Sequence, residues 1–376
     1  MHDEDMPVID IAIPVYNEER DLEPNIRRLR AYLDARFPFS ARLTIVDNAS
    51  TDGTWDIARA LALELPGVRA QHLRQKGRGR AVRHAWLGSD AAIVAYMDID
   101  LSTDLDALLP LIAPLVSGHS DVAIGSRLAP GARVARGFKR EVISRGYNVL
   151  LHVALGTRVR DAQCGFKAVR ADAARRLLPD VVDEAWFFDT ELLVRAQRAG
   201  MRIHEVPVDW TDDPDTRVDV VPTAIEDLRG VWRLADQLRS FAVIGVLSTM
   251  VYIATYAAFR VALPATLANA VSQLLTALGN TAANRRFTFD AAGNGVAARD
   301  HLGGLTAFGI ALGLTTAAIG ALHQVAPGAS RLTELAVLIV ANLMATVVRF
   351  LLLRTWIAPV RPADRAAPSR LNQRIA

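Results

Sequence analysis

Residues 92–100 read Ala-Ile-Val-Ala-Tyr-Met-Asp-Ile-Asp, an apolar run that ends abruptly in two acids. A run this short, apolar on both faces, is expected as a strand inside a sheet covered on both sides. Similar runs lie at 8–15, 42–47 and 121–125, and amphipathic helical stretches near 18–36, 52–65, 77–87 and 104–117 alternate with them. That alternation predicts an α/β unit on a mostly parallel sheet, in which ligands bind beyond the carboxyl ends of the strands.

The strand endings carry the chemistry. After the first run comes Pro14-Val15-Tyr16-Asn17-Glu18-Glu19, and after the second Asp47-Asn48-Ala49-Ser50-Thr51-Asp52-Gly53-Thr54. Asp52 and Asp104 read as helix caps. Asp98 and Asp100, two apart in extended chain, can point to one side and share a hard divalent ion, Mg²⁺ or Mn²⁺, bridging a diphosphate. Lys76-Gly77-Arg78-Gly79 offers cations and flexible backbone where phosphates would approach. The spacings of a P-loop and of a dinucleotide fingerprint are absent, which disfavours an ATPase or an oxidoreductase.

Composition shifts along the 376 residues. To residue 237 the chain is dense in charge; from Leu238 long apolar runs dominate, and the mean hydropathy is +0.19 although 22% of residues are charged. The net charge of +3 comes without a basic block interleaved with aromatics, so no nucleic-acid partner is expected. Cys164 is the single cysteine, which suits a reducing setting. The acidic start lacks the features of a signal peptide, so insertion into a membrane is expected from later segments.

Four stretches, 239–260, 264–283, 303–325 and 333–355, approach the length of about 20 residues that spans a bilayer. Arg229, Arg233, Arg239, Arg285, Arg286, Arg299 and Arg354 flank one side and only Arg260 and Arg331 the other, so both ends are expected to be cytoplasmic. Asn269, Gln273, Asn280 and Asn284 gather on one face of the second helix and read as interhelical hydrogen-bonding groups. Arg349 lies inside the fourth stretch, near its cytoplasmic end. The organisation expected is an α/β domain over 1–220, an interfacial amphipathic helix over 221–238, a four-helix transmembrane bundle over 239–356 and a basic disordered tail over 357–376.

In order along the chain these segments resemble glycosyltransferase family 2, specifically its polyprenyl-phosphate branch with the dolichyl-phosphate glucose and mannose synthases. The resemblance implies a GT-A-type (Rossmann-like) fold. It makes Pro14, Tyr16, Glu18, Asp47, Lys76 and Asp98 nucleotide contacts, and Asp98 and Asp100 metal ligands. Gly125-Ser126-Arg127 resembles the acceptor-phosphate arginine segment, and Asp161-Ala162-Gln163-Cys164-Gly165-Phe166-Lys167 and Trp186-Phe187-Phe188-Asp189-Thr190-Glu191 also match the branch. Together with Glu205-Val206-Pro207-Val208-Asp209-Trp210, the last of these segments look more like the glucose synthases, which favours UDP-glucose or another UDP-hexose, with GDP-mannose the alternative. Ser102 stands where some relatives place a metal-binding Gln; it is either a weak ligand or a helix cap. The membrane half is similar to the GtrA-type domain, notably through Asn284-Arg285-Arg286-Phe287-Thr288-Phe289.

The activity implied is inverting transfer of a sugar to polyprenyl phosphate at a bilayer, with no covalent intermediate. The acceptor phosphate is already an anion and needs little general-base help. Arg127, with Lys139, Arg140 and Arg145 of a basic segment that leads into the apolar stretch Val142–Leu155, is expected to meet that phosphate. Asp161, Gln163, Asp189 and Glu191 are expected to orient sugar hydroxyls. A membrane transporter of lipid-linked sugar is the non-enzymatic alternative, and a homo-oligomer is compatible with the sequence.

Overall fold

The computed structural model describes residues 7–135, 137–211, 220–259, 261–263, 265–288 and scattered positions from 306 to 352. The chain divides into two compact units, the first running to Leu234 and the second opening at Ala235.

The first unit runs β1 (Ile9–Val15), α1 (Leu22–Arg36), β2 (Ala41–Asn48), α2 (Thr54–Glu64), β3 (Val68–Leu73), α3 (Arg78–Leu87) and β4 (Ile93–Met97). A 3-10 turn at Leu105–Ala107 leads into α4 (Leu108–Val116), β5 (Val122–Ser126), β6 (Val134–Ala135), α5 (Phe138–Leu155) and β7 (Phe166–Arg170). There follow α6 (Ala171–Leu177), α7 (Phe188–Arg198), β8 (Ile203–Pro207), β9 (Trp210–Thr211) and α8 (Val220–Leu234). Seven strands form one sheet in the order β3-β2-β1-β4-β7-β5-β8. All pairings in it are parallel except those of β7, which runs antiparallel to β4 and to β5. The unit is thus the mostly parallel α/β architecture expected.

The apolar strands are buried on both faces because helices cover both. On α1 the buried residues Leu22, Ile26, Leu29 and Leu33 recur at helical spacing and lie in the same core as Ile9, Ile11, Ile13, Leu43 and Ile45. Each such side chain contributes about 1.5–3 kcal/mol when buried. α3 lies close to α7 because Gly79 has no Cβ to overlap the ring of Phe188. Asp104, whose side chain accepts from the amide of Asp106, caps the turn before α4, so the cap there is Asp104 and not Ser102.

In the second unit α9 (Asp236–Phe259) and α10 (Ala265–Ala283) are followed by a π-helical turn, Asn284–Thr288. Among the described residues α9 is the one helix long and apolar enough to cross a membrane. Asn280 donates to Ser248 Oγ across the pair at 2.7 Å, and buried Asn284 donates to Asn280 and accepts from Thr288. The Asn280–Ser248 bond is interhelical, as expected, whereas the bonds of Asn284 run along its own helical segment; the side chains of Asn269 and Gln273 lie outside the described residues. The third and fourth expected spans fall mostly outside them too, although the scattered positions described there, such as Ile310 and Phe350, are helical. Arg349 and the tail 357–376 also lie outside.

Candidate active site

Three non-glycine residues in the described chain take positive φ: Asn17 (54°), Ala49 (62°) and Leu101 (47°). They follow β1, β2 and β4, so all three sit at the carboxyl edge of neighbouring strands. A left-handed residue with a Cβ costs roughly 1–2 kcal/mol, and such strain collects where function fixes the backbone. Asn17 is held by Ser50 Oγ on its amide and by the Thr51 amide on its side chain, which ties the first two loops together.

On this edge the first loop presents Tyr16, and the ammonium of Lys76 lies 3.6 Å from the centre of its ring. Pro14 is the half-buried residue before the end of β1, and the amide of Glu18 donates to Thr54 Oγ1. Asp47 is fully buried: its Oδ2 meets His72 Nδ1 at 2.6 Å, and its Oδ1 accepts from the Ser50 amide. Register explains the pair, because Asp47 lies opposite His72 on β3. His72, whose side chain is 39% exposed, was missed because β3 carries no strong apolar signal. Asn48 Oδ1 accepts the Gly77 amide at 2.7 Å and so fixes the start of the Lys76-Gly77-Arg78 segment.

The acidic turn is built around Arg78. Its Nη2 donates to Asp98 Oδ1 at 2.6 Å and its Nη1 to Asp189 Oδ2 at 3.2 Å, with the rings of Tyr96 and Trp186 at 5.3 and 4.9 Å. Asp189 also pairs with Lys167 at 3.0 Å and accepts the Tyr96 hydroxyl. Lys167 is fully buried because it stands opposite Tyr96 on antiparallel β7, aimed at the same interior group. Burial opposes the charge on Arg78, but Asp98 and Asp189 prevail and hold its pKa above the ordinary value. Burial, with Asp189 adding to it, pushes the Tyr96 phenol well up. Gly165 closes the turn: its carbonyl accepts from the Asp98 amide, and a Cβ there would overlap the Asp98 carboxylate. Asp100 Oδ1 accepts from the Ser102 amide at 3.0 Å.

Arg127, just past β5, forms a two-pronged bond to Asp161, Nε to Oδ2 at 2.7 Å and Nη2 to Oδ1 at 2.9 Å, and its guanidinium lies 5.4 Å from the Trp210 ring. Burial would raise the Asp161 pKa, but Arg127 holds it below the usual range. Farther along, Arg133 pairs with Asp209 and Arg145 with Glu141, while the side chains of Lys139 and Arg140 lie outside the described residues.

The expected sugar-orienting carboxylates are thus engaged inside the protein: Asp161 by Arg127, Asp189 by Arg78, Lys167 and Tyr96, and Glu191 by Arg195, Arg233 and the Asp183 amide. Glu191 is fully buried and anchors α8 through Arg233. Gln163 donates to Asp227 of α8 at 2.8 Å. Burial, with Asp183 and Glu226 adding to it and Gln163 opposing, pushes Asp227 up to about 7. Cys164, pushed up to about 12 by burial, is a core thiol.

Among the described residues no group of three or more His, Cys, Asp or Glu converges as a metal cage. Asp98 and Asp100 make a two-carboxylate donor set at an accessible edge. That set fits Mg²⁺ or Mn²⁺ whose remaining ligands are phosphate oxygens and water.

Residues 10–178 match the model of glycosyl transferase family 2, and residues 240–358 match the GtrA/DPMS transmembrane domain. The chain is 39% identical over 232 residues to Glycosyltransferase AglD of Haloferax volcanii, an alignment taking in 60% of this chain and 37% of that protein. It is 30% identical over 247 residues to the dolichyl-phosphate beta-glucosyltransferase ALG5C of Trichomonas vaginalis, covering 60% of this chain and 73% of that one. For the Saccharomyces cerevisiae dolichyl-phosphate beta-glucosyltransferase the identity is 26% over 229 residues, with 56% and 69% covered. Among solved structures, glucosyl-3-phosphoglycerate synthase of Mycobacterium tuberculosis aligns with a TM-score of 0.47 at 19% identity, covering 61% of this chain and 80% of that one. The chain belongs to glycosyl transferase family 2 and carries a GtrA/DPMS transmembrane domain.

Proposed function

We propose that this protein transfers a hexose, with inversion, from a nucleotide diphosphate donor to a polyprenyl phosphate at the cytoplasmic face of a membrane. The observation that carries the reading is the placement, on one strained sheet edge, of an accessible Asp98-x-Asp100 turn, the Lys76 ammonium and the Arg127 guanidinium. The curated relatives named above support the acceptor class, since two of them are dolichyl-phosphate beta-glucosyltransferases by name. The same names favour UDP-glucose, or another UDP-hexose, over GDP-mannose.

The chain's own groups divide the work. Tyr16, Pro14, Glu18 and Asp47 with His72 shape the nucleotide loops. Lys76 faces the diphosphate and stabilises the charge that grows on it as the glycosidic bond lengthens. A divalent ion held by Asp98 and Asp100, with Ser102 beside them, would supply further neutralisation of that leaving group. Arg127, kept charged and oriented by Asp161, receives the acceptor phosphate, whose oxygen attacks the anomeric carbon from the face opposite the leaving group. Asp161, Asp189 and Glu191 act from behind by holding cations in place, and Gln163 joins the site to α8.

Exposed Val142, Ile143 and Val149 on α5, and Ile225, Leu228 and Trp232 on α8, suit a unit that rests on a bilayer where a lipid phosphate can enter. The second unit is read as a four-helix bundle with both chain ends cytoplasmic, as the arginine asymmetry indicates. The test is transfer of radiolabelled sugar from UDP-glucose, UDP-N-acetylhexosamine and GDP-mannose to polyprenyl phosphate by the full chain in detergent with Mg²⁺ or Mn²⁺. A β-linked lipid product from UDP-glucose is expected. Product from GDP-mannose alone would reassign the donor, and none from any donor by folded protein would favour a transporter.

A further inference from the structure

We infer that Arg78 is a positioning residue that makes divalent-ion binding at the acidic turn depend on the nucleotide. The inference rests on the reading of Asp98 and Asp100 as the metal site and goes beyond it by assigning a group that neither the motifs nor the comparisons single out.

Arg78 is a clamped cation. Its guanidinium lies beside two rings, Tyr96 and Trp186, and donates to two carboxylates, Asp98 and Asp189. Its side chain is 13% exposed, whereas that of Asp98 is 44% exposed. Asp189 is anchored from its other side by Lys167 and Tyr96, so the clamp keeps its shape whatever Asp98 does. The accessible carboxylate of the pair is therefore already neutralised on one oxygen by a cation that has little freedom to move.

A bare divalent ion arriving at Asp98 would meet that fixed positive charge within a few ångströms, and in a partly buried site such repulsion is worth at least a factor of ten in affinity. An ion arriving with a diphosphate brings compensating negative charge, which the guanidinium attracts. Two carboxylates alone also leave the coordination shell of a hard cation short, and phosphate oxygens complete it. Both effects work in one direction: the metal alone is held weakly and the metal with the nucleotide is held well. The consequence is that the turn stays free of ions until the donor is present.

The experiment follows free Mn²⁺ by its electron paramagnetic resonance signal as the full chain in detergent is titrated with Mn²⁺ alone, and then with Mn²⁺ in the presence of UDP or GDP. Wild type is expected to bind bare Mn²⁺ weakly and to bind it more tightly with the nucleotide. Arg78→Gln is expected to tighten bare Mn²⁺ binding about tenfold and to shrink the gain from the nucleotide. Arg78→Lys, which keeps the charge, is expected to stay near wild type. Should Arg78→Gln fail to fold, Trp186→Ala, which removes one wall of the clamp, is expected to tighten bare binding about twofold. Unchanged or weaker bare binding in the Arg78 variant, where Asp100→Asn still abolishes binding in wild type, would overturn the inference alone. No binding sensitive to Asp100→Asn, with or without a nucleotide, would overturn the metal reading and this inference with it.

Discussion

An enclosed arginine meets an aspartate at the amino edge of the sheet and another does so at its carboxyl edge, and the two aspartates differ in how far they open to solvent. At the amino edge, Asp10 of β1 lies opposite Arg42 of β2 in register, and the side chains are 6% and 7% exposed. Every oxygen of Asp10 is taken: Arg42 and Ser89 donate to Oδ2, and Thr44 donates to Oδ1. At the carboxyl edge, Arg78 is 13% exposed against 7% for Arg42, but its partner Asp98 opens to solvent. Asp10 is closed and serves the fold, with Arg42 reaching on to the half-exposed Asp90; Asp98 is left open, on an edge where the backbone is also strained at Asn17, Ala49 and Leu101. A buried charge pair by itself says little about function. Unsatisfied, accessible capacity beside a strained turn says more.

The contrast can be broken in several ways. Asp10→Ala removes the enclosed partner of Arg42, which keeps only the half-exposed Asp90, and with it the bonds from Thr44 and Ser89; it is expected to cost about 3 kcal/mol of stability in chemical unfolding followed by tryptophan fluorescence, whereas Asp98→Ala, whose arginine keeps the buried Asp189, should cost under about 1 kcal/mol. Comparable losses would erase the distinction. Asp227 holds its proton up to about 7 when folded and ionises near the ordinary carboxylate range when unfolded, so its stabilising share is full at acid pH and is lost as pH rises toward 7. Asp227→Asn should therefore gain roughly 2 kcal/mol over wild type at pH 8 and nothing at pH 4, as the same unfolding measurement would read. Lys76→Met, with the fold intact, should raise the donor KM about tenfold, since one partly exposed cation to the diphosphate is worth about 1–2 kcal/mol. Ser102→Ala should lower transfer by no more than about threefold if its hydroxyl is a weak metal contact; a loss as large as that of an acidic ligand would give it a larger share of the site.

The strands that end at the site were legible in sequence because they are apolar throughout: β1, β2, β4 and β5 fall within about a residue of their expected bounds. The charged interior was not. β7 reads Phe-Lys-Ala-Val-Arg, and a strand with Lys167 and Arg170 inside it does not register as core until its antiparallel register sets Lys167 against Tyr96. Asp189 was expected to face a sugar, and only the fold reveals that Arg78, Lys167 and Tyr96 claim it, from segments 111, 22 and 93 residues away. Arg78 itself lay in a quoted motif but carried no local signal that separated it from Lys76. Asp98 and Asp100 could be picked out in sequence because their chemistry depends on neighbours two residues apart, and His72 could not because its pairing with Asp47 depends on a neighbouring strand.

The most direct measurement is transfer of labelled hexose from UDP-glucose to polyprenyl phosphate by Asp98→Asn and Asp10→Asn side by side, each normalised to its folded fraction by fluorescence. The expected result is a loss of about 10³-fold in Asp98→Asn, the scale on which a group stabilising a leaving anion acts, with Asp10→Asn close to wild type per folded molecule. Transfer that survives in Asp98→Asn, or that falls equally in both, would contradict the assignment of the carboxyl edge as the site of the reaction.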